Sequence, residues 1–340
     1  MKTYRLGVAS MVHDHVWGEL AHWANLPNVE IVAAADPNAP LRKQIQERYG
    51  VERLYESWQG MLEKEELDIV QAASENSAAA GIVEAAAARG LHVVSEKPMS
   101  ARLSQAERML KAAQDAGIVL MINWPTQWSP AFQHMTKLIE AGAIGPLFYL
   151  KYRAAHNGPK EIGCSEYFWG WLYDEERNGA GALMDYCCYS AAMNAYFLGL
   201  PKSCVGIRAV LVKDYPVPDD NAMILMKYEH AFGVAEACWT QKVSTEPPNP
   251  IIYGTEGMIG IRGGSVVVRK PDGSEETVEP DPLPEGRRNG PEHLIHCIET
   301  GEPVVGTCNA VVSRNAQEIL EAGLISADTG REVTIPIGAA

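Results

Sequence analysis

No run of apolar residues in this chain approaches the ~20 needed to cross a bilayer. No block of lysine and arginine stands out, and no two cysteines are spaced C-x-x-C. The first absence removes a membrane span. The second, with a formal net charge of −14, removes nucleic acid as a partner, because phosphate neutralisation needs clustered cations. The third leaves seven scattered cysteines, with Cys187 and Cys188 adjacent, so the thiols read as reduced and the location as cytoplasmic. The first residues lead into a short apolar strand and a polar His-Asp-His stretch, which is not the pattern of a secretory signal. What is present is ordinary globular composition, 46% hydrophobic and 21% charged over 340 residues, a length that implies two domains.

Up to about residue 120, short apolar runs alternate with helical periodicity. Residues 5–9, 29–35, 67–72, 92–95 and 119–123 read as strands, and 16–25, 41–49, 78–89 and 104–116 as helices. That rhythm predicts βαβ units around a parallel sheet covered on both faces. From residue 148 strand follows strand: 148–153, 205–212, 222–228, 233–239, 251–253 and 265–269, with turns at Glu229-His230 and Gly263-Gly264. An apolar helix over 183–198 and helices over 290–299 and 309–326 complete an α+β pattern with a largely antiparallel sheet. Pro280, Pro282 and Pro284 mark 280–290 as a loop. The division falls between 1–122 and 123–340.

In a parallel sheet of this kind, a dinucleotide's pyrophosphate sits where the first strand turns into the first helix, usually over G-x-G-x-x-G. This chain has Ser10-Met11-Val12-His13-Asp14-His15 there, with none of the three glycines. The position of the turn still points to Ser10, Met11, Val12, His13 and His15 as cofactor contacts. Asp36 closes the second strand. A carboxylate there accepts both adenosine ribose hydroxyls and repels a 2′-phosphate, which favours NAD over NADP without excluding NADP; the alternative is a carboxylate that only opens the turn before Pro37. His13 and His15 could serve a metal, but no further ligands are placed by the sequence. Polar loop groups near phosphates, or surface histidines, are the other readings, and no metal is expected.

His92-Val93-Val94-Ser95-Glu96-Lys97-Pro98 sets a charged pair at the carboxyl end of a buried strand, the edge where open α/β sheets bind ligands. A plain surface lysine at a strand end is the alternative for Lys97. With its flanks, this segment resembles the signature of the glucose–fructose oxidoreductase / inositol dehydrogenase family, Gfo/Idh/MocA. Four further stretches resemble the family in the same order: Ser74 to Ala79 with Asn76; Trp128-Ser129-Pro130 with 138–145; Gly179 to Asp185; and Glu321 to Gly330. The resemblance implies a Rossmann domain followed by an α+β domain whose large, mostly antiparallel sheet is open on one face. It also implies homodimers or homotetramers formed through that sheet, and sugars, cyclitols or related polyols as substrates. Ser74, Asn76, Glu96, Lys97, Asn123 and Trp128 are the cofactor contacts it suggests, beside those above.

Two departures from the family pattern stand out. Gln127 replaces the arginine expected before the aromatic residue at 128. Tyr189 stands where most members carry a catalytic histidine, and Ala192 replaces a later aspartate, a pattern similar to a tyrosine-bearing branch. Asp185 and Tyr189 are four apart and share a helix face. Lys97, Asp185 and Tyr189 are therefore the candidate catalytic set, with the Lys97 ammonium expected to lower the phenol pKa from about 10. Packing for Tyr189 and helix N-terminal dipole complementarity for Asp185 are the structural alternatives. Trp124, Arg153, His156, Trp169, Trp171 and Trp239 are the candidate substrate contacts, since sugars take aromatic faces and paired hydrogen bonds.

These features point to an NAD(P)-dependent oxidoreductase that moves hydride between nicotinamide and a secondary alcohol or carbonyl of a sugar-like substrate. Two alternatives stay open. One is an enzyme with tightly held NAD that performs transient oxidation for isomerisation, epimerisation or glycoside cleavage. The other is a non-catalytic cofactor-binding protein.

Overall fold

In the computed structural model, which describes residues 2–243 and 247–338, two sheets divide the chain. The first half runs β1 (Tyr4–Ala9), α1 (Val16–Ala24), β2 (Val29–Ala35), α2 (Ala39–Tyr49), β3 (Arg53–Tyr55), α3 (Trp58–Lys64), β4 (Ile69–Ala72), α4 (Ala79–Ala87), β5 (His92–Glu96), α5 (Leu103–Ala116) and β6 (Leu120–Asn123). The strands lie in the order β3-β2-β1-β4-β5-β6 and every pair is parallel. β4 and β6 are buried along their whole length, which is why apolar residues dominate them, Gln71 and Asn123 apart. The winding direction reverses between β1 and β4, and that switch point opens a crevice at the carboxyl ends of the strands.

The second half runs α6 (Pro130–Glu140), β7 (Leu147–Ala155), α7 (Glu166–Leu172), α8 (Glu175–Asn178), α9 (Ala182–Leu198), β8 (Ser203–Ala209), β9 (Asn221–Lys227), β10 (Phe232–Cys238), β11 (Ile251–Gly254), β12 (Gly257–Arg262), β13 (Ser265–Arg269), β14 (Glu275–Val278), α10 (Gly290–Thr300), α11 (Ala310–Thr329) and β15 (Val333–Thr334). The sheet order is β14-β13-β12-β11-β7-β10-β9-β8-β15, antiparallel except for the β7–β10 pair. Helices α9 and α11 pack on one face. The side chains alternate accordingly: Ile224 and Met226 are buried beneath the helices, whereas Met223 and Leu225 are exposed on the other face.

Glycine is required where backbones touch. A Cβ on Gly206 of β8 would stand 2.0 Å from the Gly323 carbonyl of α11, and one on Gly181, before α9, 2.2 Å from the Asp219 carbonyl.

The two-sheet expectation is borne out, with local differences. The strand expected over 205–212 ends at Ala209, because the Asp220 carboxylate draws the N–H groups of Leu211, Val212 and Lys213 into a loop. β3, β12, β14 and β15 and the short helices α3, α7 and α8 were not legible as separate elements. β3 and β15 have three and two residues and exist only through their neighbours. Among the described residues no helix is long and apolar enough to cross a membrane.

Candidate functional site

The crevice between the carboxyl ends of β1, β2 and β4 encloses 320 Å³ and is lined by Ser10, Val12, Asp36, Asn38, Trp58 and Ser74 among others. Ser10 carries φ of 68°, a left-handed backbone that glycine adopts freely and other residues rarely do. The turn after β1 thus keeps a glycine-type backbone without glycine. Asp36 stabilises it: its Oδ2 accepts the Met11 N–H at 2.7 Å and the Ser10 hydroxyl at 3.3 Å, and its Oδ1 accepts both the backbone and amide N–H groups of Asn38 at 2.8 Å. Asp36 thus opens the turn before Pro37, and it also borders the crevice.

The second domain clasps the rest of this loop. The Val12 carbonyl accepts the Trp171 indole N–H at 3.3 Å, and Asp14 accepts the backbone N–H and hydroxyl of Ser165, at the start of α7, at 2.7 and 2.5 Å. The His13 ring lies 4.5 Å from Phe168 and is buried, and burial holds its pKa well below the ordinary histidine value. Asn76, buried, donates to the Asn178 side chain at 2.8 Å and fastens the two domains at the other end of the crevice.

At the end of β5, Glu96 organises a chain of hydrogen bonds. One oxygen pairs with His15 Nδ1 at 3.0 Å; the other accepts Asn123 Nδ2 at 2.9 Å; and Asn123 Oδ1 accepts the Trp128 indole N–H at 3.0 Å. His15, Glu96, Asn123 and Trp128, named separately from sequence, are thus brought together. The ligand atoms of His13, His15 and Glu96 lie within 4.8 Å of one another. Beneath them Glu19 is buried, and burial together with Glu96 raises its carboxyl pKa to about 8.

Lys97 follows β5 directly and is 2% exposed. Its ammonium donates to Asp185 Oδ1 at 2.8 Å and reaches the Asp185 carbonyl at 3.4 Å. It stands 4.8 Å from the centre of the Tyr189 ring and 6.0 Å from that of Tyr186. Burial opposes the charge on Lys97, but Asp185 beside it, helped by Tyr189 and Cys188, outweighs burial and holds the ammonium well above the ordinary lysine value. The group is therefore a fixed hydrogen-bond donor and positive charge. The expected effect on Tyr189 is overturned: burial raises the phenol pKa, Lys97 only partly opposes it, and the ammonium faces the ring.

Four candidate substrate contacts need correction. Arg153 lies on the open face of the second sheet, opposite Tyr152, and bonds to Glu236 and Gln241. Strand alternation sends the residues at 151 and 153 one way and those at 150, 152 and 154 toward α9. Trp124, Trp171 and Trp239 are fully buried, and their indole N–H groups serve Ser313, Val12 and Asp185 respectively. Trp239 thereby fixes the second oxygen of Asp185, at 3.3 Å. Trp169 lies beside Tyr173 with the Lys160 ammonium over its face. His156 packs edge-on against Tyr186, with 4.6 Å between ring centres. Tyr186 and Tyr152, which the sequence reading missed, also border Lys97 and Tyr189. The i,i+3 spacing of Tyr186 and Tyr189 was the available signal for the first.

A dinucleotide-type parallel sheet joined to an open antiparallel sheet, with a buried lysine–aspartate pair between them, defines a two-domain protein of the Rossmann class. The chain matches the oxidoreductase family with NAD-binding Rossmann fold (GFO/IDH/MocA) over residues 13–124, and the GFO/IDH/MocA C-terminal domain over residues 132–260; it belongs to this family. It is 33% identical over 135 residues to a D-apiose dehydrogenase of Paraburkholderia graminis, a stretch covering 39% of this chain and 36% of that protein. It is 25% identical to levoglucosan dehydrogenase of Pseudarthrobacter phenanthrenivorans over 81% of this chain and 64% of that one. With the scyllo-inositol 2-dehydrogenase (NAD(+)) of Bacillus subtilis it shares 22% identity over 90% and 88% of the two chains. The solved complex of levoglucosan dehydrogenase with NADH and levoglucosan superposes with a TM-score of 0.82 at 20% identity, covering 98% of this chain and all of that one, which shows the shared fold.

Proposed function

We propose that the protein is an NAD-dependent dehydrogenase that interconverts a secondary alcohol and a carbonyl on a sugar, cyclitol or related polyol, in the branch of the family that uses tyrosine in place of histidine. The observation that carries this reading is the buried Lys97–Asp185 pair at the carboxyl edge of the parallel sheet, facing the Tyr189 ring. The residues around the crevice fit the cofactor. Ser10 supplies the left-handed turn that the missing glycines would have supplied, and Asp36 offers a carboxylate where adenosine ribose hydroxyls are read, so NAD is favoured over NADP. Ser10, Met11, Val12, His13, His15, Asp36, Ser74, Asn76, Glu96, Asn123 and Trp128 would hold it, with residues 1–122 as the cofactor domain. When bound, NAD supplies a hydride acceptor, and NADH a donor.

The chain's own groups handle the oxygen and its proton. Lys97 donates a hydrogen bond to the substrate oxygen and stabilises negative charge on it. Asp185 keeps Lys97 charged and aimed. Tyr189 exchanges the proton with the same oxygen. With its pKa raised, the phenol is protonated at neutral pH and ready to donate during carbonyl reduction. Alcohol oxidation needs its loss and is expected to speed up toward alkaline pH.

A second reading, in which NAD stays bound through transient oxidation, is favoured by the clasp of α7 on the loop after β1. Assembly as a homodimer or homotetramer through the open sheet is supported by exposed Ile207, Leu225 and Phe232 on that face. Titration of intrinsic fluorescence with NADH and NADPH, followed by a panel of sugars and cyclitols, tests the main reading. Failure to bind either cofactor would remove it. Cofactor carried through purification, without net redox turnover, would move the assignment to the second reading.

A further inference from the structure

Around Lys97, on the side of the second domain, several polar groups are left without protein partners. The phenol oxygens of Tyr152, Tyr186 and Tyr189 and the Nε2 of His156 make no hydrogen bond to any described residue, and all four side chains are partly exposed. Ring contacts gather them into one cluster: Tyr152 to Tyr189 at 6.2 Å, Tyr186 to Tyr189 at 6.0 Å and His156 to Tyr186 at 4.6 Å. The cluster carries no free charge. Lys97 is neutralised by Asp185, and the Lys213 ammonium is taken up by Glu161 and the Asn157 carbonyl. His156 is locked neutral by geometry. Its Nδ1 accepts the Gly158 N–H at 2.8 Å, a bond the protonated ring would lose, so its single proton sits on Nε2.

Resting on the dehydrogenase reading, we propose that Tyr152, Tyr186 and His156 form the wall that recognises the substrate's non-reacting hydroxyls, and that the substrate is an uncharged polyol, a free sugar or cyclitol, as distinct from a sugar acid or a phosphorylated sugar. A phenol both donates and accepts, as an alcohol does, so phenols pair with hydroxyls in either sense. The His156 N–H adds one fixed donor. The aromatic faces suit the C–H surfaces of a ring. A carboxylate or phosphate in the same place would lose its hydration and meet no unpaired cation, which is a net cost.

The test is steady-state kinetics on the full chain with NAD and matched probes: D-glucose and myo-inositol against D-glucuronate, D-glucose 6-phosphate and an inositol monophosphate. We expect kcat/KM for at least one neutral probe to exceed that of its charged counterparts by about a hundredfold, as a site built for neutral hydroxyls requires. Tyr186→Phe and His156→Gln should each raise KM about tenfold, the value of one lost hydrogen bond, with NADH affinity unchanged. A charged probe turned over as well as its neutral partner overturns the assignment. So does unchanged KM in both variants, or NADH binding with no turnover of any neutral probe. Failure of the wild type to bind NADH is a different result, because it removes the dehydrogenase reading itself.

Discussion

Lys97 and Asp185 are each buried, so removing either leaves the other as an uncompensated charge. Lys97→Met is expected to lower kcat by about 100- to 1,000-fold through loss of a preorganised donor. It should also cost about 3 kcal/mol of stability, of which Lys97→Met/Asp185→Asn regains a large part. Turnover and urea unfolding of the two variants check both halves. Tyr189→Phe should abolish the alkaline rise of alcohol oxidation; an unchanged pH–rate profile would assign the proton to another group. Glu19 behaves differently. Its folded pKa, about 8, lies above the unfolded carboxyl value, so its neutral form favours the fold at low pH and that contribution is lost as pH rises from about 4.5 through 8. Glu19→Gln should therefore flatten the fall in stability across that window, as unfolding at pH 5 and pH 8 will show. At this scale Lys97, Asp185, Asp36 and Glu96 were legible, because strand ends of a parallel sheet and one helix face follow from chain order. The burial of Trp171 and Trp239 was not, because which side of a tryptophan meets solvent depends on elements far away in sequence.

Among the elements, α7 does the most with the least. Seven residues long, it sends Trp171 to the Val12 carbonyl and, through Ser165 at its start, secures Asp14. The loop after β1 has no glycine with which to hug phosphates closely, and α7 holds that loop instead. Asp14→Ala removes a charged acceptor shared by two donors. It should speed NADH release roughly tenfold, the worth of one charge-assisted bond, with little change in the fold. Stopped-flow fluorescence measures this, and an unaltered release rate would mean that the clasp has no part in cofactor retention. The periodicity of 16–25, 29–35 and 183–198 was strong enough to read directly. α7 was hidden because its sequence, Glu-Tyr-Phe-Trp-Gly-Trp-Leu, is apolar on too many sides to show a helix face, and it reads as a scatter of aromatic residues.

The molecule as a whole leaves one sheet face uncovered, with Val205, Ile207, Met223, Leu225, Phe232 and Tyr253 exposed upon it. Apolar area of this kind is stabilised by a partner surface. If that partner is a second copy, the protein sediments as a dimer or tetramer, and Ile207→Glu shifts it to monomer by burying a charge at the interface. A monomeric wild type at micromolar concentration would contradict this. Pairing of β7 with β10, residues more than eighty positions apart, creates that face, and no local signal could have announced it.

What the sequence determined by itself is local. Alternating apolar runs demanded a parallel sheet with helices on both sides; the later succession of strands demanded a second sheet; and Glu96-Lys97 fell at the carboxyl end of a buried strand. The tertiary structure decided everything that depends on which faces meet. It turned Arg153 away from Lys97 by the alternation of β7, and set Trp239 behind Asp185 as a hydrogen-bond donor to it. It also buried enough of Tyr189 that desolvation outweighs the lysine beside it. Desolvation and strand facing are properties of assembled surfaces, and chain order alone does not contain them.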